Sequence, residues 1–266
     1  MSDPADFAQP ANSPAAPTPP TPLLTPLACL AGVFFRPTRV FDSLARRPTW
    51  WVPFLLTMAV FFLFYFGSLA HFDTHQAFQK ALQHPNPQAW QFTSMPPAQR
   101  AKLETTIQRI VRYSWIGGPL LILLYRAIEA ALLLSIFRLA FHADINFRQM
   151  NAVVWHSSLP DLISFLPLAV KPFFGHALDS VQFKNLGYAD LGYYFNPATT
   201  PRALYAVVSS INLCTVWSIL LLAIGLVLVA HTKRIHGVIA ALLWWIARWI
   251  VILMLFILVS MVAVAF

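Results

Sequence analysis

Residues 120–134 read LLILLYRAIEAALLL, a run of largely hydrocarbon side chains that is interrupted by two charged residues, Arg126 and Glu129. The whole chain shares this apolar character, because 58% of its 266 residues are hydrophobic and only 11% are charged. Soluble domains carry roughly 25% charged residues, and a soluble chain of this length cannot hide so much apolar surface from water. The stretch therefore indicates a helix that crosses a membrane with two charges inside it.

Two further runs carry no charge at all, residues 48–72 and residues 203–232. Each exceeds the roughly 20 apolar residues that cross a hydrocarbon core of about 30 Å. The chain is therefore expected to be an all-α, polytopic membrane helix bundle. Its five predicted transmembrane helices lie at about residues 51–70, 115–141, 150–170, 204–230 and 237–262. The third contains Pro160 and Pro167, which predict a kink or a break, and a separate helix is predicted at residues 97–112.

The first fifty residues divide into a tail and two short amphipathic helices. Residues 1–22 hold seven prolines and few apolar side chains, which predicts a disordered tail with polyproline-II character. Residues 23–50 repeat apolar side chains at helical spacing, first at Leu27, Leu30, Ala31 and Phe34 and then at Val40, Phe41 and Leu44. These helices are too short to span, so we expect them to lie in the membrane interface. A helix pair that packs on the membrane domain is the alternative.

The net charge of +8 is distributed beside the apolar runs. The basic residues that precede the first span are Arg36, Arg39, Arg46 and Arg47. Basic side chains near an anionic membrane surface contribute about 1 kcal/mol each. The predicted partners are therefore the lipid bilayer and its anionic headgroups rather than nucleic acid. A second copy of the chain (a homo-oligomer) or another membrane protein is a further predicted partner.

The same charge distribution predicts the orientation. Lysines and arginines are dense in the short segments beside the spans, whereas the loops at residues 71–113 and 171–203 are long and dilute. By the positive-inside rule the N-terminus is cytoplasmic. Five spans then place the C-terminus on the opposite side, and in a prokaryote the membrane would be the plasma (inner) membrane.

Three stretches of the sequence are informative together: VFFRPTRVFDSLARRPTWWVPFLL (residues 33–56), FRQMNAVVWHSSLP (residues 147–160) and LYAVVSSINLCTVWSILLLAIGLVLVA (residues 204–230). They resemble the YIP-domain (Ypt-interacting protein) family, and the bacterial branch most closely. The resemblance covers about residues 27–262 and implies five spans with a cytoplasmic N-terminus. Eukaryotic members bind prenylated Rab-type GTPases, but the Asp-Leu-Tyr-Gly-Pro motif of those members is missing here. Asn212 and Cys214 also replace the Asp and Phe that bacterial relatives often carry.

The sequence contains no Gly-rich phosphate loop, no Ser-His-Asp arrangement and no HExxH motif. His71 and His75 lie four residues apart and form a weak candidate for a zinc site, which would need a third ligand such as His84. The alternative for these histidines is a solvated loop at headgroup level. We therefore expect no cofactor and no enzymatic activity. The predicted role is membrane organisation or service as an interaction scaffold.

Four ionisable residues fall inside predicted spans, at Arg126, Glu129, Asp161 and Arg248. Arg126 and Glu129 share a helical face, and the other two lie at similar depth. They predict an interior polar cluster that fixes helix register, or alternatively the substrate or proton path of a small transporter or channel. In the fourth span, one face predicted to allow close helix packing consists of Ser210, Cys214, Ser218 and Gly225.

Overall fold

The computed structural model describes residues 22–67, 95–170 and 212–265, with isolated positions between them, and side chains as far as residue 250. The predictions for residues 1–21, His71, His84 and Ser210 lie outside the described residues. The regular elements in these ranges are helical, which confirms the all-α class. We number them α1 (Pro26–Phe35), α2 (Pro37–Arg46), α3 (Trp51–Gly67), α4 (Pro97–Phe141), α5 (Phe147–Ser157), α6 (Leu159–Val170), α7 (Leu213–Ala230) and α8 (Arg234–Ala265). A short 3₁₀ turn, Leu191–Tyr194, precedes α7.

Two of these helices, α4 and α7, are long and apolar enough to cross a membrane. The pair α2 and α3 is bent by 117° at its break, and it would be a third span if both helices formed one. Length and hydropathy in the described ranges therefore support two or three of the five predicted spans.

Helices α1 and α2 pack differently from one another. In α2 the predicted apolar face, Val40, Phe41 and Leu44, is buried and lies against α5 and α7. In α1 the buried residues are Cys29 and Val33. Of the predicted face, Leu30 and Phe34 pack partly against the core, whereas Leu27 and Ala31 are exposed. The reason is that α1 is apolar around its whole circumference, and spacing alone does not choose which side contacts protein.

Helix α4 is a single helix of 45 residues, which corrects the prediction of two helices at residues 97–112 and 115–141. Its length of about 68 Å exceeds the thickness of a hydrocarbon core. The predicted boundary followed a change in composition, but residues 112–115 contain no helix breaker. Pro119 lies inside the helix, which continues past it because interrupted backbone is costly in hydrocarbon.

The segment predicted as the third span consists of two helices that meet at Ser158. Helix α5 begins with a capping box, in which the side chain of Asn146 bonds the backbone of Gln149 and the side chain of Gln149 bonds the backbone of Asn146. The side chains from Met150 to Ser157 are all buried, because α4, α7 and α2 surround α5. Helix α5 therefore forms the centre of the bundle.

Helix α7 packs against α8, α2, α5 and α6. A Cβ atom added at Gly225 would collide with side chains of Phe41 in α2 and Val153 in α5, so glycine permits this close approach. Helix α7 begins at Leu213 with Asn212 as its N-cap. Most of residues 204–211, which begin the predicted fourth span, lie outside the described residues.

Candidate functional site

The four ionisable residues predicted inside the membrane lie around one cavity in the helix bundle. The cavity is bounded by α4, by the junction of α5 and α6, by α7 and by α8. Its lining consists of Arg126, Glu129, Ser157, Ser158, Asp161, Thr215, Ser218, Ile219, Leu222, Ala241, Trp244, Trp245 and Arg248. The structure thus brings together charges from three separate segments of the sequence.

Arg126 and Glu129 form the tighter of two ion pairs. The guanidinium Nη1 of Arg126 lies 2.7 Å from Oε2 of Glu129, as their spacing of three residues on one helix allows. The other carboxylate oxygen, Oε1, accepts a hydrogen bond from the indole N–H of Trp244. Both oxygens of Glu129 therefore have partners, and only 6% of its side chain is exposed.

Arg248 and Asp161 form a much looser pair. Nη1 of Arg248 lies 3.9 Å from Oδ2 of Asp161, and the two side chains are 24% and 29% exposed. The guanidinium also lies beside the phenol of Tyr125 on α4. Since its pairing is long, the Asp161 carboxylate keeps unused acceptor capacity toward the cavity.

Two helix N-termini lie at the wall of the cavity. Asp161 is in the first turn of α6, and Thr215 is in the first turn of α7, where its backbone N–H donates to Asn212 Oδ1 at 2.7 Å. Each helix N-terminus carries a partial positive charge of about +0.5. The start of α7 therefore adds positive potential beside the carboxylates, whereas at Ser158 the C-terminus of α5 carries the opposite partial charge and offsets that of α6.

The inner space of the cavity is small. Its volume is about 30 Å³, counted as the space open to the centre of a water molecule. Such a volume holds about two water molecules or one small polar group. The lining offers hydroxyls, guanidinium and indole donors and carboxylates, so its chemistry is that of binding through hydrogen bonds and charge.

The lining residues that the sequence prediction left out include Ser157, Ser158, Trp244 and Trp245. The first two follow from the helix break, which the prolines near position 160 predicted only in outline. A signal for Trp244 existed, because a buried indole N–H usually finds an acceptor and Glu129 offered one. That signal does not identify which of the tryptophans in α8 makes the contact.

The residues predicted as a helix-packing face have different surroundings. Gly225 lies beneath α2, and Ser218 lines the cavity. Cys214 is partly buried. On this face, Gly225 thus allows close helix packing, whereas Ser218 forms part of the polar cavity wall.

The predicted basic residues lie on the outside of α2 and at its ends. Arg46 pairs with Asp42 at 2.9 Å across one turn, and Arg36 and Arg47 are exposed. Arg39 is partly buried, and its Nε atom has no hydrogen-bond partner among the described residues. The exposed guanidinium groups remain available to a membrane surface.

The histidine site receives no support from the described residues. His75 Nδ1 lies 3.0 Å from Oε1 of Glu104, while His71 and His84 lie outside the described ranges. Within the residues that are described, no group of three His, Cys, Asp or Glu side chains is arranged to hold a metal ion.

The helices and their apolar composition define a class, an all-helical multi-pass membrane protein. The Yip1 domain family model matches residues 31–264, which is nearly the whole chain. The chain belongs to the Yip1 domain family. No curated protein and no solved structure gives a significant match to it.

Proposed function

We propose that the chain is a five-span, non-enzymatic Yip1-domain protein of the bacterial branch that acts in membrane organisation or as an interaction scaffold. The observation that carries this proposal is the family match over residues 31–264. The three sequence stretches that resemble bacterial members support the branch. The proposed spans are α3, the apolar part of α4, α5 with α6, α7 with the residues before it, and α8.

The proposed orientation places the N-terminus in the cytoplasm and the C-terminus on the other side, in the inner membrane of a prokaryote. The dense basic residues around α2 support this orientation through the positive-inside rule. A reporter that works only in the cytoplasm should be active at the N-terminus and inactive when it is fused after Phe266. Activity at both ends would mean an even number of spans and would contradict the scheme.

The proposed working surface is the N-terminal arm, the apolar helix α1 and the amphipathic helix α2. Leu27 and Phe35 of α1 are exposed, which suits an apolar face inserted at headgroup level. Arg36 and Arg47 are exposed beside it and suit anionic headgroups. The exposed apolar side chains along α4 suit lipid tails, a second copy of the chain or another membrane protein.

The test is the lipid retained by the full chain after purification from vesicles of mixed phosphatidylglycerol and phosphatidylcholine. We expect enrichment of the anionic lipid, and loss of enrichment when Arg36, Arg46 and Arg47 are all changed to Gln. The matched control changes Arg109 and Arg112 to Gln, because both are exposed on the polar part of α4. Equal enrichment in wild type and the triple variant would refute the role of the arm.

A further inference from the structure

The cavity wall carries three buried hydrogen-bond donors without an acceptor among the described residues. They are Nε of Arg248, Nε1 of Trp245 and the hydroxyl of Ser218, and all three residues line the cavity. The Ser218 hydroxyl lies beside Asp161 but makes no hydrogen bond of good geometry with it. Buried donors are almost always satisfied in folded proteins, so this wall is suited to a group that supplies several acceptor oxygens.

Asp161, in contrast, is an acceptor that lacks a close cationic donor. Its carboxylate lies 3.9 Å from Arg248, whereas the neighbouring Arg126–Glu129 pair closes to 2.7 Å. The looser pair leaves carboxylate lone pairs facing the cavity, where the Ser218 hydroxyl is the neighbouring donor. Those lone pairs suit a cationic donor such as an ammonium group.

The net charge of the cluster decides which ligand can serve both the unpaired donors and the Asp161 carboxylate. Two guanidinium groups and two carboxylates already balance, so a simple anion or cation would add an uncompensated charge in a low-dielectric interior. A ligand that carries one negative and one positive group leaves the balance unchanged. The indole rings of Trp244 and Trp245 also offer faces that attract ammonium groups.

We propose that this cavity binds a zwitterionic phosphate–ammonium group, the chemistry of an ethanolamine phospholipid headgroup. The phosphate oxygens accept hydrogen bonds from Arg248, Trp245 and Ser218, and the ammonium group lies at Asp161. The inner volume of about 30 Å³ admits one charged group while the remainder stays in the mouth of the cavity. The ligand comes from the surrounding bilayer or from a soluble phosphodiester with the same two charges, glycerophosphoethanolamine, and its binding does not depend on the scaffold role proposed above.

The first experiment measures thermal stabilisation of the full chain in a non-ionic detergent by four probes. They are a short-chain phosphatidylethanolamine, the matching phosphatidylglycerol, soluble glycerophosphoethanolamine and inorganic phosphate. We expect the ethanolamine lipid to bind at least about tenfold more tightly than the glycerol lipid, since each lost charge-assisted hydrogen bond changes affinity by about that factor. Affinity for soluble glycerophosphoethanolamine equal to that for the ethanolamine lipid supports the site with a soluble source. Equal affinity for phosphatidylglycerol or for inorganic phosphate would overturn the proposal.

The second experiment uses two cavity variants with matched controls. Trp245→Phe removes one donor and should weaken the ethanolamine lipid about tenfold, while Asp161→Asn should remove the preference for ethanolamine over glycerol. Trp51→Phe and Asp42→Asn make the same chemical changes at exposed positions outside the cavity and should leave both affinities unchanged. Wild-type affinity in both cavity variants would overturn the proposal. If either variant does not fold, the proposal is tested by the preference of the wild-type protein for phosphatidylethanolamine over phosphatidylglycerol.

Discussion

The buried pair of Arg126 and Glu129 predicts that removal of one partner destabilises the protein more than removal of both. Glu129→Leu leaves the Arg126 guanidinium without its 2.7 Å partner in an interior where only 17% of that side chain is exposed. Breaking a buried pair in this way costs about 3–5 kcal/mol, whereas apolar replacement of a whole pair is often nearly neutral. The Trp244 indole loses its acceptor in both variants, so the difference between them isolates the stranded charge.

The assay is thermal unfolding of the full chain in detergent. About 2–4 °C per kcal/mol for a chain of this size gives an expected loss of roughly 6–20 °C for Glu129→Leu. The double variant Arg126→Leu, Glu129→Leu should recover most of that loss. The control is the exposed pair of Arg46 and Asp42, where Asp42→Leu should change stability by less than about 1 kcal/mol. Additive effects of the two buried single changes, or no effect at all, would refute the reasoning.

Three further predictions concern packing and caps. Gly225→Leu should destabilise the protein by about 1–3 kcal/mol, because its side chain would enter space held by α2 and α5. The control Gly117→Leu, at a site with open space around it, should be tolerated. Thermal melts compare the two variants. His231 ends α7 with φ of 50°, so His231→Gly should raise stability by up to about 1 kcal/mol in the same melts. Deletion of residues 1–21 should leave the melting temperature unchanged, and a drop of several degrees would show that the tail packs on the bundle.

The sequence predicted the parts of the fold that depend on local spacing. The buried face of α2 follows from the positions of Val40, Phe41 and Leu44 among charged residues, because an amphipathic helix has only one apolar side to bury. Helix α1 has no polar side, and its contacts therefore depend on tertiary packing. The length of α4 was predicted wrongly because a change from polar to apolar residues marks a membrane boundary and does not end a helix.

In the candidate site, too, the sequence predicted the local contacts but not those that depend on tertiary packing. The spacing of Arg126 and Glu129 is local, and their contact follows from helix geometry. The approach of Trp244 to Glu129 spans more than a hundred residues of sequence, and no periodicity encodes it. The sequence likewise does not predict that Trp245 and Ser218 line one cavity, because this depends on the packing of α7 against α8.

Helix α5 connects the end of α2 to the cavity. Near its start, Gln149 donates to the backbone carbonyl of Ala45 at the end of α2, at 2.7 Å, and at its other end Ser157 lines the cavity. Its 11 residues span about 16 Å, and its side chains from Met150 to Ser157 are buried by neighbouring helices. A shift at the end of α2 would therefore be carried through α5 to the cavity wall, and occupancy of the cavity would in turn act on α2.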